Sequence, residues 1–183
     1  MSNLKTTEKT ALSARITAKL PVLIAVTTLI FAVCATLASF KAAGYGNRMV
    51  LAQTQASDQW AYYQAKSIKE TLYQVQHDIL EAEMKQSVRP EEFQEKLRQF
   101  EKEVRRYKEE KNEINNQALA KEQERDLAKE HNSRFGQALI FLQIGILLSS
   151  LAAINKIHYY WYAGLAGGGT GVVMFLSAYG KTL

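Results

Sequence analysis

Residues 61–107 read AYYQAKSIKETLYQVQHDILEAEMKQSVRPEEFQEKLRQFEKEVRRY. Before the interruption, small or apolar residues fall at Ala61, Ala65, Ile68, Leu72, Val75, Ile79 and Ala82, in steps of 4, 3, 4, 3, 4, 3. That is the heptad of a helix lying along another helix. The segment from Gln86 to Glu92 breaks the frame: Pro90 disfavours helix in the residue before it and suits a helix start, where Glu91 and Glu92 complement the dipole. The heptad then resumes at Phe93, Leu97, Phe100, Val104 and Tyr107, and the same frame runs through Lys111, Ile114, Ala118, Lys121, Arg125 and Ala128 to Phe135. Two helices of about forty residues joined by one tight turn fold back antiparallel, so the spacing predicts a coiled-coil hairpin over 47–134 that turns near 87–90. Residue i then lies opposite residue 176 − i. Phe93 is expected near Ala82, Leu97 near Ile79, Phe100 near Val75 and Val104 near Leu72. At ~1.5 Å per residue such an arm is roughly 60 Å long.

Outward from this stretch the composition changes abruptly. The chain has 183 residues and a net charge of +5, with 18 acidic residues and 23 Lys and Arg. Seventeen of the acids and sixteen of the bases lie between Asn47 and Arg134, which nets −1, while the flanks carry +6. Leu20–Phe40 (LPVLIAVTTLIFAVCATLASF), Phe135–Ile154 (FGQALIFLQIGILLSSLAAI) and Tyr160–Tyr179 contain no charge. At ~1.5 Å rise, twenty residues cross a hydrocarbon core of about 30 Å. We therefore expect an all-α membrane protein with a basic tail at 1–19 and transmembrane helices at 20–40, 135–154 and 160–179. Pro21 is expected in the first turn of its helix, where a missing N–H is harmless. The first run exceeds the ~7–15 residues of a signal-peptide apolar region, which favours a retained anchor.

Small residues recur at four-residue spacing in the last two runs: Gly145, Ser149 and Ala153, then the pairs Gly164 with Gly168 and Gly167 with Gly171. Lipid gives no hydrophobic drive between helices, so close packing through small residues is the expected role. No Asp, Glu, Lys or Arg falls inside a run, and Gln143 alone is strongly polar near a span's centre. That composition disfavours ion or proton transport, although a channel or transport accessory using the glycine-rich third span is the alternative reading.

Chemistry is thin. His77, Asp78 and Glu81 share a helix surface, with His77 expected to face solvent. Cys34 lies within the first apolar run and reports neither redox compartment nor catalysis. No nucleophile elbow, phosphate-binding loop or HExxH occurs, so no catalytic residue, cofactor or metal is expected. The near-neutral middle argues against nucleic acid. On the hairpin's proximal half, Lys111, Lys121 and Arg125 sit on the predicted seam, with Asp58 within reach of Lys121. Trp60, Tyr62 and Tyr63, with Lys66 close in sequence, cluster one to two turns beyond the expected membrane exit, where they can anchor at the interface or fill a subunit contact; a ligand or partner patch is the alternative reading.

The string Ala56-Ser-Asp-Gln-Trp-Ala-Tyr-Tyr63, with Ala65-Lys-Ser-Ile68, resembles a family of bacterial membrane proteins catalogued as domain of unknown function 4337. Its members pair an amino-terminal span with a similar string, a charged helical region and apolar carboxy-terminal spans. The resemblance implies a bacterial inner-membrane protein and supplies no activity. Lys5, Lys9, Arg15 and Lys19 against Glu8, compared with Lys41 and Arg48 beyond the span, favour a cytoplasmic amino terminus and a periplasmic arm. The expected function is a non-enzymatic inner-membrane scaffold or interaction protein. Its expected partners are the bilayer, further copies of itself and an unidentified protein met through the arm.

Overall fold

The chain forms three α-helices, α1 (Ser2–Gln86), α2 (Glu91–Asn155) and α3 (His158–Gly180), in a computed structural model. The structure describes residues 2–86 and 91–180, with side chains from Pro21 onward. The turn expected at 87–90 and the basic side chains of the 1–19 tail lie outside the described residues. No strand occurs among the described residues. The all-helical class and the long hairpin are as the sequence predicts. Pro21 differs from expectation: α1 starts upstream of it, so the proline is inside the helix, where it removes a backbone hydrogen bond.

Two helices contain a stretch long and apolar enough to cross a membrane, α1 from Pro21 onward and α2. The third expected span is not among them. With 23 residues α3 is long enough, but its six glycines and its aromatic start dilute its apolar character.

The chain divides into two compact units, Met1–Asn47 with Ala128–Leu183, and Arg48–Leu127. In the first, Phe31, Ala35 and Ala38 of α1 meet Phe135, Ala138 and Leu142 of α2 and Phe175 and Ala178 of α3 in one buried cluster. Ile24 and Ala152 form a second cluster against Trp161, whose indole N–H donates to Thr27 Oγ1 over 3.3 Å. The buried stripe on α3 is Gly164, Gly168, Gly171, Phe175 and Ala178. Glycine is required there by contact. A Cβ on Gly145 would lie 2.6 Å from the Gly168 Cα, and one on Gly171 would lie 2.8 Å from the Leu142 backbone nitrogen. A Cβ on Gly168 would run into the Phe31 ring. Gly167 is outside this stripe, with Ile144 no closer than 3.7 Å, so of the two expected glycine pairs only Gly164 with Gly168 lies in the interface. Between α2 and α3 the link is two residues, and Lys156 takes a left-handed φ of 54° to end α2. A glycine would adopt that conformation without strain.

In the second unit, α2 uses the predicted face. Leu97, Tyr107, Ile114 and Ala118 are buried, and Phe93, Phe100, Val104, Lys111, Lys121 and Arg125 are half-buried in the same frame. The register also holds, since Lys66 pairs with Glu110, His77 with Glu101 and Gln53 with Arg125, all close to 176 − i. The face of α1 is different. Ala52, Ala56, Gln59, Tyr63, Lys66, Glu70, Tyr73, His77, Leu80 and Met84 form the half-buried or buried stripe toward α2, at steps of four and three. The apolar heptad from Ala61 to Ala82 lies two residues on, about 200° round the helix, and all seven of its residues are exposed. The pairings expected for Ala82, Ile79, Val75 and Leu72 are therefore not made. The physical reason lies in α2, whose seam carries Tyr107, Lys111 and Arg125. These need carboxylates, amides and ring faces, which only the mixed stripe of α1 offers.

Candidate interaction surface

Within the second unit the aromatic string becomes an interlocking set of rings and ion pairs. Trp60 donates its indole N–H to Glu122 Oε1 over 3.0 Å and meets Tyr63 edge-on at 5.6 Å between ring centroids. The Lys66 ammonium lies 2.5 Å from Glu110 Oε2. It also sits over the rings of Tyr62 and Tyr107, at 5.1 and 5.3 Å. Lys111 contacts Glu70 Oε2 at 2.6 Å and sits 5.1 Å above the Tyr63 ring. Tyr73 then stacks on Tyr107 at 5.7 Å and meets the Phe100 ring at a tilt, 5.9 Å between centroids. A cation over a ring face and against a carboxylate gains twice, from the ring quadrupole and from the charge.

These contacts set the ionisation of the pairs. Glu110, by its hydrogen bond to Lys66, is held below the ordinary glutamate value. Lys66 is raised above the ordinary lysine value, first by Glu110 and then by Tyr62. Lys111 is raised by Glu70, and Arg125 by Asp126 beside it. Arg125 also donates to Gln53 Oε1 at 3.0 Å, which ties it to α1.

The candidate residues therefore separate by face. Trp60, Tyr63 and Lys66 hold α1 to α2. Tyr62 stays half-exposed with its ring under Lys66, and Asp58 is exposed. Lys121 pairs with Glu124 on its own helix at 3.0 Å, so the expected Asp58–Lys121 pair is not formed. In the first unit Gly164, Gly168 and Gly171 are in the α2–α3 interface, Gly167 is at its margin, and Gln143 points outward.

His77, expected to face solvent, sits on the seam with 16% of its side chain exposed. Its Nδ1 lies 3.3 Å from Asp78 Oδ1 and its Nε2 3.5 Å from Glu101 Oε1 of α2. Ligand atoms of His77, Asp78 and Glu81 all lie within 4.8 Å of one another, a donor set of the kind that takes a borderline divalent cation. The carboxylates already have partners: Gln74 donates to Asp78 at 2.9 Å and Lys85 pairs with Glu81 at 2.8 Å. Asp78 and Glu81 are both held below their ordinary values by those contacts. An open cavity of about 400 Å³ adjoins the histidine, lined by Gln74, His77, Glu101, Val104, Arg105 and Lys108.

Comparison with known proteins finds no matching curated protein and no matching solved structure. One family does match, over residues 21–181, so that the match takes in the apolar stretches, the aromatic string and both long helices. The chain belongs to the family described as "Domain of unknown function (DUF4337)".

Proposed function

We propose that this protein is a multi-pass bacterial inner-membrane scaffold, without enzymatic activity, whose helical hairpin presents an interaction surface outside the bilayer. The observation that carries this reading is the inverted packing of the first unit. Its interior is built from alanine, glycine and Ser149 around a few larger side chains. Its exterior carries Val26, Leu29, Val33, Leu147, Ile154, Val173 and Leu176, all exposed. In water so continuous an apolar surface drives aggregation, whereas lipid solvates it and leaves small residues to pack helix on helix. On this reading all three helices cross the bilayer, the third by packing its glycine stripe on α2. From the aromatic cluster at Tyr159–Tyr162 to Tyr179 is about 18 residues, or ~27 Å, close to the hydrocarbon thickness. The cytoplasmic amino terminus and periplasmic arm follow the positive-inside asymmetry of the sequence. A pore along the glycines has less support, because Phe31, Leu142 and Ser149 occupy the space beside Gly168, Gly171 and Gly164.

The test is extraction. The protein should stay with the membrane pellet through high salt and alkaline carbonate and leave it only in detergent. Release by carbonate would end the anchor reading. Reporter fusions after Lys41 and after Tyr179 should both report the periplasm.

A further inference from the structure

The apolar heptad on the outer face of α1 is exposed among the described residues of the second unit, although it is the most regular apolar pattern there. Ile68, Leu72, Val75 and Ile79 are exposed by 69, 54, 48 and 55% respectively. We infer that this face, from Ala61 to Ala82, pairs with the same face of a second copy of the chain, side by side and in the same direction. The inference rests on the anchored reading above, since two copies held in one bilayer by the same spans present α1 in the same sense.

Periodicity specifies the occupant. A stripe in unbroken steps of 4, 3, 4, 3, 4, 3 fits another helix over its whole length, and about 22 residues give roughly 33 Å of contact. Three heptads is about the least that sustains such a pairing, and membrane anchoring raises the effective concentration of copies. Charge at the margins points to a copy rather than a basic or acidic partner. The charged residues flanking the stripe are Lys69 and Lys85 against Asp78 and Glu83, a net of zero, so the face does not repel itself. In a parallel pair Lys69 approaches Gln64 of the second copy. The one like-charged approach, Asp78 to Glu83 of the second copy, is blunted because Asp78 already accepts a hydrogen bond from Gln74 and adjoins His77.

The experiment is disulfide trapping of the full chain in native membranes, on a Cys34→Ala background because Cys34 is the one natural cysteine. Parallel pairing places each stripe residue beside itself, so Leu72→Cys and Ile79→Cys should each trap a species of twice the chain mass. Glu109→Cys, on the exposed side of α2, should not. Leu72→Asp should abolish trapping through Ile79→Cys without loss of helicity, since Leu72 is exposed in a single copy. Monomer alone, with the protein still in the carbonate-resistant pellet, overturns the pairing and leaves the anchor reading intact. So does a trapped product of another mass. Trapping only between Ile68→Cys and Ile79→Cys chains overturns the parallel arrangement. Protein found in the carbonate wash overturns the anchor reading, whatever is trapped.

Discussion

The two units are made from the same two long helices and bury opposite kinds of residue. In the first, the contact is Gly145 on Gly168 and Leu142 on Gly171, with backbone close to backbone, while Val26, Leu29, Val33, Leu147, Val173 and Leu176 point outward. In the second, the contact is Tyr73 on Tyr107, Lys66 on Glu110 and Lys111 on Glu70. The difference follows the medium each unit is read to face. Where lipid solvates large side chains, shape alone selects the interior. Where water surrounds the helices, rings and charges can be partly buried if each finds its complement.

The largest effect that tests this contrast is steric. Leucine at Gly145 meets the backbone of Gly168 and Gly164, and backbone cannot swing aside as a side chain does. Gly145→Leu should lower stability in detergent by about 3 kcal/mol or more, with loss of the first unit's packing in thermal unfolding followed by circular dichroism. Gly169→Ala, where a Cβ meets nothing within 4 Å, should be within about 0.5 kcal/mol of wild type. Equal effects from the two would mean the glycine stripe is not the interface.

Next in size is the ion pair of Lys111 and Glu70, whose side chains are about one-fifth exposed. Glu70→Leu alone leaves a half-buried ammonium without its carboxylate and should cost about 1–3 kcal/mol. Glu70→Leu with Lys111→Leu should recover most of that loss, because an apolar pair of similar size replaces it. Failure to recover would show that the Tyr63 ring beneath Lys111, rather than the carboxylate, sets the seam.

Legibility followed the same divide. The hairpin, its register and the face of α2 could be read from spacing because Phe93, Leu97, Phe100, Val104, Tyr107 and Ile114 leave one apolar stripe on that helix. On α1 two stripes share the 3.5-residue period. Counting apolar residues selects the one from Ala61 to Ala82, since Lys66, Glu70 and His77 carry no apolar signal. What places them inward is complementarity with Glu110, Lys111 and Glu101, which appears only once the register is applied and each α2 cation is asked for its partner. The seam position of His77 was hidden for the same reason. Likewise the pair Gly167 with Gly171 has the right spacing, and only the direction of α2 decides that Gly164, Gly168 and Gly171 form the buried edge.

A smaller effect separates the aromatic string's roles. Trp60→Phe keeps the ring against Tyr63 and loses the 3.0 Å hydrogen bond to Glu122. It should cost about 1 kcal/mol, seen as a lower unfolding midpoint, whereas Tyr62→Phe should change the midpoint little. The reverse ranking would place the working face of the string outward.

The smallest expected effect is on pH dependence, and its sign is fixed by the Lys66–Glu110 pair. Glu110 is depressed by Lys66, so the folded hairpin favours its carboxylate. That contribution is present above the ordinary glutamate value and fades as pH falls through the lower folded value. Lys66 is raised, so its share is present below the ordinary lysine value and fades as pH climbs through the raised one. The pair therefore adds nearly constant stability between about pH 5 and 10. Glu110→Gln should lower the unfolding midpoint across that plateau, with the gap to wild type closing below about pH 4. A gap that persists in acid would mean Glu110 acts through packing rather than through its charge. Gly145→Leu, whose clash is with the Gly168 and Gly164 backbone, should by contrast be as damaging at pH 4 as at pH 7.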